Sequence, residues 1–168
     1  MAQHVFSAIG IVRSPFAQAE GTPIQPTAAE AVEGEVILEQ AYAAGLQDID
    51  GFSHIFLIYV FHRSRPGALR LRPFLDDSER GVFATRAPCR PNPIGLSLVR
   101  LLRRDGNVLR IAGVDIFDGT PVLDIKPYIP QLNPKDDVRV GWLTGRTDGF
   151  ASVYATTALG GEADGTGR

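Results

Sequence analysis

The sequence predicts a mainly β fold, either a barrel or a sandwich, with long loops and short helical turns. Its apolar runs are short and are separated by turn residues, with 18 glycines and 12 prolines among 168 residues. No internal repeat and no long helical period is present, and short strands between Gly/Pro turns are typical of barrels and sandwiches. Neither G-x-G-x-x-G nor G-x-x-x-x-G-K-[ST] occurs, so the sequence does not support a Rossmann fold or a P-loop fold.

The first half of the chain contains three predicted strands. Residues 5–12 alternate weakly between apolar and polar side chains, and Glu35 to Tyr42 form a second strand-like run. A helical turn over Ala43 to Ile49 follows. The clearest strand is Ser53 to His62, in which both faces are apolar, so we expect a central strand that is buried on both sides. Its two faces carry Ile55, Leu57, Tyr59 and Phe61 on one side and Phe56, Ile58 and Val60 on the other.

The second half begins with a hairpin signal. Leu96 to Arg104 and Asn107 to Phe117 flank the dipeptide Asp105-Gly106, which is typical of a tight turn between paired strands. Asp118 would then lie where the second of these strands ends. A further strand or short extension is predicted over Val138 to Leu143.

Length and composition indicate one globular domain. The chain is 44% hydrophobic and 21% charged, as expected for such a domain. We expect the barrel to span residues 1–140, followed by a short extension at 141–158 and a disordered, glycine-rich tail at 159–168. No apolar run approaches the length of a membrane span, and the N-terminus lacks the pattern of a signal peptide, so we expect a cytoplasmic protein.

Metal and disulfide sites are not expected. Cys89 is the single cysteine, so an internal disulfide and a multi-cysteine metal site are excluded. The three histidines are spread out as His4, His54 and His62. The last two lie eight positions apart, about 26 Å along one strand, and cannot share a metal there.

Basic residues are concentrated in one stretch of a chain whose formal net charge is −2. Residues 60–110 contain 11 of the 17 Lys and Arg but only 4 of the 19 Asp and Glu. Nearly all of the cations are arginines, which suit phosphate recognition. A nucleic-acid backbone would be attracted to such a stretch, although a solvated face explains it equally well.

Two proline-anchored segments carry most of the chemically versatile side chains. Thr85 to Ser97 and Asp118 to Tyr128 place arginine, asparagine, aspartate, lysine and tyrosine between prolines that restrict the backbone. Polar side chains on rigid loops are frequent in binding and catalytic sites. Two tight turns with solvated charges are the alternative interpretation.

These two segments resemble the signature of the TsaA-like (YaeB-like) family of S-adenosylmethionine-dependent tRNA methyltransferases. The resemblance covers roughly residues 5–140 and extends upstream of the two segments, in the family's order, to Ile9–Phe16, Pro23–Pro26, Gly51–Ile55 and Arg80–Arg86. It implies a small closed or partly open β-barrel that works as a homodimer and is distinct from Rossmann-type methyltransferases. It also implies methylation of the N6 nitrogen of threonylcarbamoyl-adenosine, next to the anticodon of tRNA.

The resemblance further implies a pocket for S-adenosylmethionine. Arg86 suits the carboxylate of the cofactor, Leu96 suits an apolar wall, and Asp118 with the following backbone suits its polar groups. The residues that the resemblance assigns to this pocket are Ile24, Gln25, Pro26, His62, Arg63, Arg86, Leu96, Phe117, Asp118, Gly119 and Thr120.

The same two segments and the basic stretch contain the candidates for catalysis and for tRNA binding. A ureido nitrogen becomes nucleophilic only as it loses its proton, so a carboxylate or phenol is expected nearby, and Asp124 and Tyr128 are candidates. Lys126 could stabilise negative charge or hold a phosphate, and a surface ion pair between Asp124 and Lys126 is the alternative. The candidates for contact with tRNA are Arg90, Asn92, Arg103 and Arg104.

Two features leave the function open at this point. Many bacterial family members carry a second C-terminal domain, whereas residues 133–154 resemble only a short replacement, so binding surface for tRNA would be reduced. A barrel that binds a nucleoside or RNA without catalysis is the alternative function, because small barrels bind nucleic acid by charge and stacking.

Overall fold

Six antiparallel strands close into a barrel in the computed structural model, which describes residues 2–17, 31–65, 67, 69–132 and 137–148. The strands of the chain are β1 (Gly10–Arg13), β2 (Glu33–Leu38), β3 (His54–Val60), β4 (Arg70–Leu71), β5 (Arg80–Gly81), β6 (Ile94–Asp105), β7 (Val108–Ala112) and β8 (Pro121–Pro127). The barrel has the order β1-β2-β7-β6-β3-β8, while β4 and β5 form a separate pair. The mainly β prediction is therefore confirmed, and the barrel is closed.

Short 3₁₀ helices lie between the strands and after β8. They span Gln40–Leu46, Ile49–Gly51, Val82–Ala84, Pro130–Leu132 and Gly141–Leu143 among the described residues. The predicted helical turn after β2 is thus confirmed, although β2 ends at Leu38 and the helix begins earlier than expected. Of the two alternatives predicted over Val138 to Leu143, a strand or a short extension, the strand is wrong. Gly141 has a positive φ of 57°, which starts a helical turn there and interrupts an extended conformation.

The core fills the inside of the barrel. Strand β3 places Ile55, Leu57 and Tyr59 inward, where each is at most 4% exposed. Its outer face is only partly buried, so the expectation of burial on both sides is wrong for that face. A barrel strand has one inner and one outer face, and β3 is central only in that it pairs with both β6 and β8.

The predicted hairpin is confirmed as the β6–β7 pair. Gly106 adopts a φ of 64°, which the tight turn requires and which glycine adopts without strain. The second strand stops at Ala112 and not at Phe117, because Gly113 also has a positive φ, of 82°, and redirects the chain. Asp118 consequently lies in the connection before β8 and not at the end of β7.

The described part of the C-terminal extension packs against the residues on either side of β5. The Trp142 indole N–H donates to the Ala84 carbonyl at 2.8 Å, and Arg146 pairs with Asp76 at 3.2 Å. The tail predicted at 159–168 lies outside the described residues, and the division into domain, extension and tail stays a prediction. Within the described part of the chain, no helix has the length and apolar character needed to span a membrane.

Candidate functional site

The two proline-anchored segments meet at one end of the barrel. Strand β3 ends there, β6 begins there opposite it, with Val60 paired to Ile94, and β8 begins beside Tyr59. The Phe61 N–H then donates to the Pro93 carbonyl at 2.7 Å. Residues 61–65 are therefore held between the segment that precedes β6 and the segment that precedes β8.

Four residues of the predicted cofactor pocket contact one another on one side of this connection. His62 Nδ1 lies 3.3 Å from the hydroxyl of Thr120, whose residue is only 2% exposed. Arg63 Nε donates to His62 Nε2 at 3.3 Å, and the Arg63 guanidinium lies 5.5 Å from the centre of the Phe117 ring. The fold thus brings His62, Arg63, Phe117 and Thr120 together, while their assignment to a cofactor pocket stays a prediction.

The protonation state of His62 follows from its neighbours. Partial burial, and then the adjacent charge of Arg63, lower the pKa of His62 below its ordinary value. The neutral ring carries one proton, and because Nε2 accepts from Arg63, that proton lies on Nδ1 and is donated to Thr120. The ring thereby connects the buried hydroxyl of Thr120 to the exposed guanidinium of Arg63.

Asp118 and Gly119 fasten this end of the barrel to β1. The Asp118 carboxylate accepts the Ser14 backbone N–H at 3.1 Å and pairs with Arg13 at 3.2 Å. The Gly119 N–H donates to the Val12 carbonyl at 2.8 Å, and Gly119 has a φ of 76°. The Asp118 carboxylate is thus already engaged by the protein, while its predicted contact with a cofactor stays a prediction.

Arg86 and Leu96 are in contact on the other side of the same barrel end. A guanidinium nitrogen of Arg86 donates to the Leu96 carbonyl, and both residues are exposed. The outward side chain of Leu96 is 47% exposed and lies at the start of β6. An exposed guanidinium beside an exposed aliphatic side chain can hold a carboxylate next to an apolar group.

Hydrogen bonds stabilise the segment between Arg86 and Leu96. Arg90 donates to the carbonyls of Thr85 and Ala87, each at 3.1 Å. The Asn92 carbonyl accepts from the Ile94 N–H at 2.7 Å, which closes the turn before β6. The Asn92 side chain has no hydrogen-bond partner among the described residues, so its predicted contact with tRNA stays a prediction.

The catalytic candidates occupy different parts of β8. Asp124 and Lys126 form an ion pair at 2.7 Å, as the alternative interpretation expected. In the sheet, Asp124 lies opposite Ile58, which lies opposite Leu96. Asp124 is therefore about 10 Å, two strand spacings, from the strand that carries Leu96.

Tyr128 lies at the other end of the barrel. Its N–H donates to the His54 carbonyl at 3.0 Å, and its ring packs edge-on against Phe56 with the centroids 5.6 Å apart. Thr120 is eight residues away along β8, about 26 Å in an extended strand. Within one subunit, Tyr128 is therefore not brought together with the cluster of His62 and Thr120.

Arg103 and Arg104 are also far from this cluster, at the tip of the β6–β7 hairpin. Arg103 pairs with Asp105 at 2.9 Å, and Arg104 donates to the carbonyls of Gly106 and Leu46. Contact of these arginines with tRNA stays a prediction. The remaining cofactor candidates Ile24, Gln25 and Pro26 lie outside the described residues.

A buried polar chain next to the site escaped the sequence analysis. Ser97 donates to Asp115 at 2.9 Å and lies 3.1 Å from the Tyr59 hydroxyl. Burial raises the pKa of Asp115 to about 6, and the nearby positive charge of Arg86 partly opposes this shift. The available signal was a carboxylate between two strongly apolar residues, Val114 and Ile116, which are both buried.

A metal centre receives no support from the described residues. They contain no group of three or more His, Cys, Asp or Glu side chains placed to hold a metal ion.

Comparison with known proteins gives a consistent family relationship. The model of the tRNA-methyltransferase O N-terminal domain matches residues 11–134. A probable S-adenosyl-L-methionine-binding protein of Pyrococcus abyssi is 54% identical over 135 residues, which are 80% of this chain and 73% of that protein. The tRNA (adenine(37)-N6)-methyltransferase of Escherichia coli is 39% identical over 152 residues, which cover 84% of this chain and 65% of that enzyme.

The fold comparison leads to the same family. The crystal structure of TrmO from Pseudomonas aeruginosa matches with a TM-score of 0.70 and 38% sequence identity, and the match covers 84% of this chain and 63% of that one. The chain thus spans a little under two thirds of this solved TrmO chain and of the Escherichia coli enzyme. With a family model that covers most of its length and relatives well above 30% identity, the chain belongs to the tRNA-methyltransferase O family.

Proposed function

We propose that this chain is an S-adenosylmethionine-dependent methyltransferase that modifies the N6 nitrogen of adenine 37 in tRNA. Its relatives include probable S-adenosyl-L-methionine-binding proteins and tRNA (adenine(37)-N6)-methyltransferases. The observation that carries the proposal is the convergence of both proline-anchored segments on one barrel end, with His62, Arg63, Phe117 and Thr120 in mutual contact. A tRNA-modifying enzyme of this kind would act in the cytoplasm.

The side chains at this barrel end fit the chemical groups of the cofactor. The exposed guanidinium of Arg86 suits a carboxylate, and the exposed Leu96 and the Phe117 ring suit apolar and aromatic surface. The Thr120 and His62 pair offers polar groups beside them. When bound, S-adenosylmethionine supplies an activated methyl group on a sulfonium centre, so the main task of the protein is orientation.

Asp124 is the best-placed candidate for accepting the proton of the acceptor nitrogen. It lies on the outer row of the sheet that also contains Ile58 and Leu96, and its side chain is 45% exposed. Lys126, 2.7 Å away, would hold the carboxylate in place. We further propose that the acceptor is the ureido nitrogen of threonylcarbamoyl-adenosine, because such a weak nucleophile needs a base.

A homodimer would give the outer face of this sheet a partner. Ile94 and Leu96 on β6 are 43% and 47% exposed, and the outward side chains Phe56, Ile58 and Val60 of β3 are only partly buried. A contiguous exposed apolar face of this kind is typical of a protein–protein contact. A second copy related by a two-fold axis would also bring its own Tyr128 and Lys126 to this face.

The test is methyl transfer by the intact chain. Incubation with S-adenosylmethionine labelled on the methyl group and tRNA carrying threonylcarbamoyl-adenosine should place the label on that nucleoside. We expect Asp124→Asn to reduce turnover at least 100-fold, the usual contribution of a general base, with little change in cofactor affinity by calorimetry. Cofactor or RNA binding without methyl transfer would favour the non-catalytic barrel, and a parallel loss of cofactor binding in Asp124→Asn would assign Asp124 to the cofactor site.

A further inference from the structure

A cavity adjoins the candidate site at the C-terminal end of residues 61–65. It has a volume of about 380 Å³ and lies between this segment and the proline-anchored segment before β6. Pockets that bind small groups commonly have volumes of this order. The lining residues are Ser64, Arg65, Gly67, Arg90, Pro91 and Pro93.

The cavity is positively charged. Arg65 and Arg90 line it, and none of the other described lining residues carries a carboxylate. Neither arginine forms an ion pair within the part of the chain that the structure describes. In contrast, Arg70, Arg80 and Arg103 of the same basic stretch each pair with a neighbouring carboxylate. The guanidinium groups of Arg65 and Arg90 are therefore two neighbouring positive charges that no described carboxylate neutralises. Together they suit an anion.

Hydrogen bonds and close packing hold described residues of both cavity walls in place. Arg90 is held by the carbonyls of Thr85 and Ala87, and the Ser64 hydroxyl lies 2.9 Å from the Pro88 carbonyl. The two walls also touch directly at Gly67. A Cβ atom at that position would lie 2.3 Å from the Cys89 carbonyl oxygen, so no larger residue fits there without a backbone shift. Because little ordering is needed on binding, such a cavity is preorganised for its ligand.

The position of the cavity suggests which anion it holds. His62 and Arg63, the residues just before Ser64, face Thr120 and Phe117 in the candidate cofactor cluster. Ser64 and Arg65 face the cavity. If an RNA base is methylated beside this cluster, the phosphodiesters that flank its nucleotide lie near Arg65 and Arg90.

We propose that this cavity is a binding subsite for a phosphodiester of the RNA substrate, next to the nucleotide that is methylated, with Arg65 and Arg90 as its ligands. The proposal rests on the proposed function and adds a location for the RNA backbone. Arg65 is the exposed ligand, and Arg90 both binds and supports the loop. The carboxylate of S-adenosylmethionine is the other anion of similar chemistry that the site could receive.

The experiment compares Arg65→Gln with the wild-type chain and with Arg100→Gln. Arg100 is an exposed arginine of the same basic stretch, on β6 and opposite His54, away from the cavity. Binding of tRNA is measured over a range of salt concentrations, and binding of S-adenosylmethionine is measured by calorimetry. We expect Arg65→Gln to weaken tRNA binding about tenfold, which is typical of a lost charged hydrogen bond. The slope of log affinity against log salt should fall by about 0.7.

The outcomes separate this proposal from the function on which it rests. Cofactor affinity should change by less than about twofold in both variants, and Arg100→Gln should bind tRNA nearly as tightly as the wild type. If Arg65→Gln weakens cofactor binding and leaves tRNA binding unchanged, the cavity receives the carboxylate and the proposal fails. Equal tRNA binding by Arg65→Gln and the wild type, with methyl transfer intact, also overturns it but leaves the enzyme function standing. A wild-type chain that neither binds nor methylates tRNA would contradict both.

Discussion

Ser97 connects Asp115 to Tyr59 at the end of the barrel core. Its hydroxyl lies 2.9 Å from the Asp115 carboxylate and 3.1 Å from the Tyr59 hydroxyl. A serine has one hydroxyl proton, which it donates to the carboxylate, so Tyr59 donates to Ser97. Burial raises the pKa of Tyr59, which keeps it protonated as a donor. The chain of hydrogen bonds thus ends on a carboxylate that lies in the electrostatic field of Arg86.

The first prediction concerns the stability cost of the Asp115 charge. Because the pKa of Asp115 is raised to about 6, the folded protein holds its proton more tightly than the unfolded chain. Stability contributed by this group is therefore fully present below about pH 4 and is lost as the pH rises through about 6. Asp115→Asn, which cannot ionise, should be more stable than the wild type by about 2 kcal/mol at pH 8.

The measurement is urea unfolding of both proteins at pH 4 and pH 8. The difference in the free energy of unfolding should be large at pH 8 and small at pH 4. Asp77→Asn, which removes a carboxylate at an exposed position, serves as the control. A destabilised Asp115→Asn at pH 8 would mean that the ionised carboxylate makes favourable contacts that outweigh its burial.

The second prediction tests the close approach of Tyr59 and Gly95. These residues lie opposite each other on β3 and β6, and a Cβ atom on Gly95 would come within 2.2 Å of the Tyr59 ring. Gly95→Ala must push the ring aside and disturb its hydrogen bond to Ser97, so we expect destabilisation by about 2–3 kcal/mol. Gly45→Ala, where a Cβ atom would meet nothing within 4 Å, is the matched control and should be neutral in thermal unfolding.

The barrel could be predicted from sequence because alternation and turn chemistry are local. The inner face of β3 and the Asp105-Gly106 turn are both visible in the chain itself. The partial exposure of the outer face of β3 could not be predicted, because apolar residues look the same in a sequence whether or not another layer of the protein covers them. The end of β7 at Ala112 depends on the backbone conformation of Gly113, and the position of a glycine does not reveal the sign of its φ.

The candidate site could be predicted only in part, for a related reason. His62 and Thr120 were grouped by resemblance and do meet in the fold. The sequence analysis names Asp124 and Tyr128 together because a carboxylate or a phenol is expected beside a ureido nitrogen. The two are four residues apart, however, and an extended strand rises more than 3 Å per residue. Residues that are close in the sequence of an extended segment do not necessarily share a site. Which residues lie near each other on different strands, as Asp124 and Leu96 do two strands apart, follows only from the strand register, which the sequence does not show.

The third prediction is that Arg86 binds the cofactor. Arg86→Ala should weaken binding of S-adenosylmethionine by about 1.5–3 kcal/mol, the range for a hydrogen bond to a charged group. Calorimetric titration measures this directly, and circular dichroism establishes that the variant is folded. Arg100→Ala is the charge-matched control on the outer face of β6. Unchanged affinity in a folded Arg86→Ala protein would remove Arg86 from the cofactor site.

The last prediction concerns the contact between the C-terminal extension and the connection that leads to Arg86. The Trp142 indole donates to the Ala84 carbonyl at 2.8 Å, two residues before Arg86, and Arg80 lies 5.7 Å from the centre of the indole ring. Trp142→Phe retains an aromatic face for Arg80 but removes the hydrogen bond. We expect amide hydrogen exchange over Val82–Ala84 and Arg86 to become faster, because local opening depends on few contacts there.

The faster hydrogen exchange should have a defined size and be confined to this segment. Loss of one hydrogen bond corresponds to about 1 kcal/mol, or roughly fivefold faster exchange in that segment. Exchange in β3 should not change, since its amides are protected by pairing with β6 and β8. Trp142→Ala, which also removes the ring, should give a larger effect in the same segment. If both variants exchange like the wild type at Ala84 and Arg86, the extension does not restrain this connection, and Arg86 is positioned by its contact with Leu96.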